Sequence, residues 1–203
     1  MKVYKATKKD MTCSMGAGIF QYHLGIPAKA EESKCGNTGL HACEYVLDCL
    51  RYYGLGGGNR FFEAEADGDI AEDGQNTRIS CTELTLTREL TNRDIAREAI
   101  RYMTRHPKRE GWQHSSSGVT VAAEEAGTGR DGIAIARGTS PKAKGGMGAQ
   151  LGWIRETPEG IREARLVTVS GPIKPDTWYT IEEAEEAIRR EKIETEKNTG
   201  SAG

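Results

Sequence analysis

The sequence predicts an α+β protein: an N-terminal mixed α/β domain, then a short β-solenoid, then a charged C-terminal helix. Three observations point there. Strand-like alternation and helix-like spacing both occur in the first half, a glycine-led pattern recurs every 14 residues in the second half, and a helix-start signature stands at Thr180. The expected division is a mixed domain over 1–110, a linker over 111–117, a capped solenoid over 118–179, and a helix with a disordered tail over 180–203.

The opening VYKAT, residues 3–7, reads as a short strand, and Gly16, Gly18, Gly25 and Pro27 then break the chain into turns. In GLHACEYVLDCLRYYG, residues Cys43, Val46, Leu47 and Leu50 fall at helical spacing before Gly54, which predicts a helix over 42–53. RFFEAEADGDI alternates Phe62, Ala64 and Ala66 with Glu63, Glu65 and Asp67, the period of a half-buried strand. ISCTELTLTREL continues as a second β-rich piece. In TNRDIAREAIRYMTRHP, Thr91 or Asn92 can cap a helix whose apolar face is Ile95, Ala99, Ile100 and Met103, and Pro107 stops it. GWQHSSS, residues 111–117, is polar and short enough to be a linker. Thr180 and Glu183 have capping-box spacing ahead of the last helix.

Between them lies the recurrence: Gly118-Val119, Gly132-Ile133 and Gly146-Met147 stand 14 residues apart, with Val121, Ile135 and Ala149 in step. Small inward residues and glycine corners at a fixed period suit a narrow solenoid, in which each coil is buried by the next. IAIARGTSPKAKG also resembles the repeat of trimeric autotransporter adhesin heads. That resemblance implies a homotrimer; the alternative is a monomeric stub packed on the first domain.

Composition bounds the function. The formal net charge is −2 and the pI about 6.1, so the chain has no global basic field for nucleic acid and any such contact must be local. No export signal opens the sequence and no window approaches a membrane span, which predicts a cytoplasmic protein with no membrane partner. The five cysteines are irregularly spaced, and reduced thiols are expected.

VYKATKKDMTC, GLHACEYVLDCLRYYG, RFFEAEADGDI, TRELT, KAKGGMGAQLGWI and IKPDTWYT together resemble an uncharacterised family of phage and gut-bacterial (Firmicutes) proteins. The resemblance carries no known chemistry. It implies a phage or prophage accessory protein, of the kind found among genes that antagonise host defence.

Several constellations invite a chemical reading. Cys35, His41, Cys43 and Cys49, with Cys13, are zinc-type donors, but no CxxC pair is present and Cys43 falls on an apolar face, so buried free thiols are expected and no cofactor. The order VYKAT, GLHAC, helix, RFFEAEADG resembles the layout of ADP-ribosyltransferases, with Glu63 or Glu65 as the acid; Tyr4-Lys5 replaces the His or Arg usual in the first strand. GLGGGNR and GTGRDG lack the continuation of a phosphate loop and read as turns. His114 with Ser115, Ser116 and Ser117 reads as linker rather than nucleophile and base. The acidic run AEADGDIAEDG lacks the ligand order of a calcium loop. Trp153, Trp178 and Tyr179 read as core or cover for the solenoid.

Charge offers the strongest functional feature. Arg93, Arg97, Arg101 and Arg105 recur every four residues on one helix and are continued by Lys108 and Arg109. The bland alternative is a solvated face partly neutralised by Glu89, Asp94 and Glu98. As a docking stripe, these six residues would grip carboxylates or phosphates of a host protein or ribonucleoprotein complex. The resulting expectation is a non-enzymatic binding protein that blocks a bacterial defence complex such as an RNA-guided nuclease, in the manner of an anti-CRISPR. The alternatives are a transferase-like enzyme and a trimeric structural protein of a virion or prophage.

Overall fold

The computed structural model describes residues 1–14, 18–74, 76–116 and 118–200. The chain divides into two compact units, Met1–Ala99 and Ile100–Gly203.

In the first unit, strands β1 (Lys2–Thr7), β5 (Leu40–Cys43), β6 (Arg60–Glu72) and β7 (Arg78–Glu89) form an antiparallel sheet that closes on itself. β6 pairs with both β1 and β7, while β5 bridges β1 to β7, so the four strands make a small barrel. β2 (Thr12–Ser14) and β3 (Ile19–Gln21) form a separate hairpin, and the two-residue β4 (Ala28–Lys29) adds to β7. The alternation in RFFEAEA is realised: Phe62, Ala64 and Ala66 are buried with Val3, Ile79, Cys81, Leu84 and Leu86, whereas Glu65 is exposed. β6 bends at a bulge between Asp67 and Ile70, where Gly68 has φ +73° and a Cβ would stand 2.1 Å from the Thr82 hydroxyl.

The helix expected over 42–53 is not formed. Its first part is strand β5, in which Cys43 pairs with Tyr4 and Arg78, and only Val46–Arg51 winds, as a 3-10 helix after an extended Tyr45. The apolar run is buried on every side, and a short run of that kind shows no periodicity that separates strand from helix.

Helix α1 spans Asn92–Arg105 and carries the division between the units at Ala99/Ile100. Thr91 caps it: its hydroxyl accepts from the Asp94 N–H at 3.2 Å, and Asp94 accepts from the Thr91 N–H at 3.1 Å.

The second unit is one five-stranded sheet, in the order β12 (Gly160–Thr168), β11 (Gln150–Thr157), β10 (Ile133–Gly145), β9 (Val119–Thr128) and β8 (His114–Ser116). This corrects the solenoid. Val119 does pair in parallel with Ile133, the 14-residue step, but Ile133 pairs with Gln150 and not with Met147. β8 and β12 are antiparallel to their neighbours, so the chain reverses at both sides of the sheet instead of coiling on. β8 also occupies what reads in the sequence as linker. With twelve strands against two α-helices and one 3-10 helix among the described residues, the class is mostly β and not α+β with a solenoid.

The glycine recurrence has a different cause. A Cβ on Gly132 would lie 2.8 Å from the Gly118 carbonyl oxygen, and one on Gly146 would lie 2.6 Å from the Arg130 nitrogen. Each corner is seated against the backbone of the corner before it, with no room for a side chain. The small residues of β9 and β10 likewise lie under large ones: Ala126, Ala134, Ala136 and Ala143 share a core with Leu151, Trp153, Tyr179 and Ile181. Trp153 donates its indole N–H to the Tyr179 carbonyl at 2.9 Å. Trp178, expected as core or cover, is exposed and takes the Lys144 ammonium over its ring at 4.8 Å. Helix α2 (Ile181–Gly200) starts in the expected capping box, Thr180 and Glu183 bonding reciprocally at 2.8 and 3.3 Å. The tail over 201–203 lies outside the described residues, and no described helix is long and apolar enough to cross a membrane.

Candidate functional site

Arg93, Arg97, Arg101 and Arg105 project from α1 into solvent, and Lys108 beyond it is exposed as well. A step of four residues overshoots one helical turn slightly, so the guanidinium groups form a slanted stripe. Arg97 pairs with Asp94 at 3.0 Å, and Asp94 is also 3.4 Å from Arg88. Hydrogen bonds from Thr91, side chain first and backbone second, together with these two cations hold the Asp94 carboxyl below the usual range. Arg109 is half-buried, its guanidinium 5.3 Å from the centre of the Tyr102 ring. Of the carboxylates expected to neutralise the stripe, Glu89 makes a two-pronged bond to Arg60 at 2.8 and 2.6 Å. Glu98 is buried, and accepts from the Tyr4 hydroxyl at 2.7 Å and from Lys2 at 3.3 Å.

On the barrel, Glu63 and Glu65 lie opposite Tyr4 and Lys2. Glu63 forms ion pairs with Lys2 at 3.1 Å and Arg88 at 3.2 Å, and Glu65 is exposed. Strand alternation places that face apart from Lys5, which shares its phase with Val3 and Thr7.

Lys5 is 5% exposed, and its ammonium donates to the His41 carbonyl at 2.6 Å beneath the face of Tyr22, 5.0 Å from the ring centre. The His41 Nε2 accepts from the Gly36 N–H at 3.0 Å, which leaves the proton on Nδ1. Burial, then the charges of Lys5 and Arg78, pull its pKa down to about 4, so the imidazole is neutral and straps the 34–39 loop to β5. Arg78 holds Asp73 and lies 5.9 Å from the centre of the Tyr52 ring.

Residues 1–98 match a domain of unknown function, DUF7666. The matched segment thus covers the barrel and the first half of α1, and includes Arg93 and Arg97 but neither Arg101 nor Arg105. No curated protein and no solved structure matches the chain.

The DUF7666 segment also holds all five cysteines, which are free thiols: Cys13, Cys43, Cys49 and Cys81 are buried and Cys35 is half-buried. Burial pushes Cys81 up to about 11, and a hydrogen bond with Cys43, followed by burial, pushes Cys49 up, so neither is a ready thiolate. Among the described residues no three His, Cys, Asp or Glu side chains gather as a metal site. GLGGGNR is a turn, with positive φ at Gly56, Gly57 and Gly58. The acidic run, expected as a solvated turn, lies mostly along β6, with Asp73 and Gly74 just past its end. In the second unit, His114 and Ser116 share a 2.8 Å hydrogen bond within β8; Ser117 lies outside the described residues.

Lys5 is the residue that the sequence reading passes over as a possible contact. A lysine on the inward phase of VYKAT, between Val3 and Thr7, is the signal that marks it.

Proposed function

We propose that the protein works by binding, docking the cationic face of α1 onto an acidic surface of a macromolecular partner. The observation that carries this reading is the exposure of Arg93, Arg97, Arg101, Arg105 and Lys108 along one helix and its extension, on a chain whose net charge is −2. Guanidinium groups in such a row bind carboxylates or phosphates two bonds at a time, and steer encounters in a way that salt weakens. Arg105 and Lys108 form no ion pair with the described residues, so both are available to a partner.

The resemblance of the N-terminal motifs to phage and gut-bacterial proteins supports a phage or prophage origin and action in the host cytoplasm. The partner of this reading is a host protein or ribonucleoprotein complex of a defence system, which the docked protein blocks.

The test is charge reversal. Arg97→Glu, Arg101→Glu and Arg105→Glu are combined, circular dichroism verifies the fold, and inhibition of host RNA-guided nuclease cleavage is measured with both proteins. The wild type inhibits and the folded triple variant does not. Equal inhibition by the two overturns the stripe as the docking surface, and absence of inhibition by the wild type overturns the choice of partner.

A further inference from the structure

A second feature of the first unit is independent of the stripe. The ammonium of Lys5 is buried, yet the His41 carbonyl is its only hydrogen-bond acceptor among the described residues, and no carboxylate lies within ion-pair distance of it. An ammonium carries three donors, and taking it out of water is costly unless an anion or several acceptors compensate. The Tyr22 ring supplies part of that compensation and leaves two N–H groups without an acceptor among the described residues.

Lys5, Tyr22 and His41 line a cleft of about 260 Å³ together with Leu40 from β5 and Ile19 and Phe20 from β3. Ile19 is 75% exposed and Phe20 37%, so the rim of the cleft is apolar and open while its floor is cationic. The other cation on the lining, Lys29, points largely to solvent and pairs with Glu83 at 3.3 Å. One buried positive charge balances one negative charge. A dianionic phosphate would keep a second charge uncompensated, near a carboxylate that repels it.

We infer that this cleft binds a small monocarboxylate with an apolar tail, the carboxylate accepting from Lys5 and the tail covering Ile19 and Phe20. The ligand adds the anion that the buried ammonium lacks, and its tail removes the two rim side chains from water.

The experiment is a titration of the full chain, followed by amide nitrogen–proton correlation spectra, with sodium hexanoate, sodium acetate and inorganic phosphate as probes. Hexanoate produces saturable shifts at the Tyr22, Leu40 and His41 amides. Acetate, which lacks the tail, binds weaker by roughly tenfold or more, and phosphate gives no saturable change there. Lys5→Met weakens hexanoate by about tenfold or more. Ile19→Glu, at a position too exposed to matter for folding, weakens it as well with the remaining spectrum unchanged, and so decides the matter if Lys5→Met does not fold. No saturable shift with hexanoate, tighter binding of phosphate, or unaltered hexanoate affinity in Ile19→Glu overturns the inference.

Discussion

The Tyr4 hydroxyl donates to the Glu98 carboxylate at 2.7 Å, tying the first strand of the barrel to the first helix through a buried, charge-assisted bond. Lys2 reaches the same carboxylate and also Glu63, which pairs with Arg88, which in turn reaches Asp94. The charges alternate along this path, so each carboxylate has a cation within reach.

Removing the hydroxyl leaves part of a buried carboxylate without its donor. Tyr4→Phe is expected to lower unfolding stability by about 1.5–3 kcal/mol. Urea denaturation of the two proteins checks this; a loss well below that range would mean that the other partners of Glu98, Lys2 among them, satisfy it.

Gly146 is a steric requirement, because a Cβ there meets Arg130 backbone that has no free end to move. Gly146→Ala is expected to cost about 1–3 kcal/mol. Gly129 has nothing within 4 Å of a built Cβ and no positive φ. Gly129→Ala, whose main effect is on the unfolded chain, should be neutral or stabilising by up to about 1 kcal/mol. Thermal unfolding of the pair separates backbone contact from a general preference for glycine in corners.

His41 makes stability depend on pH with a definite sign. Its folded pKa of about 4 lies below the ordinary 6.5, so between those values the unfolded chain binds more protons. The contribution is complete above pH 6.5, shrinks as the pH falls, and is lost once the pH passes 4; in full it is about 3 kcal/mol. Urea midpoints across that window should fall with acidification, and His41→Gln should flatten the trend. An equally steep trend in the variant would assign it to other groups.

Both helices begin with a threonine in a reciprocal cap. Thr91→Ala and Thr180→Ala are each expected to cost about 1 kcal/mol. Far-ultraviolet circular dichroism should show lower helicity for Thr180→Ala, because α2 past its first turns is mostly exposed and buries little else to hold it.

Those caps were readable, since Thr91 and Thr180 each stand three residues before an acid, and so was the strand over 60–72, whose alternation places Phe62, Ala64 and Ala66 inward. Barrel closure was not readable, because it depends on β6 meeting two partners, and nothing local in RFFEAEA states which. Leu40–Cys43 misled because a strand buried on both faces has no alternation to display. The glycines at 118, 132 and 146 recorded real backbone contacts, while the direction of the flanking strands, which excludes a solenoid, lies in pairings between distant segments. For the residues proposed to bind, the four-residue spacing of the arginines was visible in the sequence. The isolation of Lys5 from every described carboxylate was visible only in three dimensions.

The two sheets also differ in what they leave open to a stray strand. In the first unit β1, β5, β6 and β7 use each other's backbone groups around a ring. In the second, β12 is an outermost strand with one row of backbone donors and acceptors turned outward. That strand carries Arg162, Glu163 and Arg165 in close succession, with Glu163 bonded to Arg155 and Arg165 to Glu185. An incoming chain would have to desolvate these charges and break those pairs to extend the sheet, so β12 is guarded against the edge-to-edge growth that begins aggregation.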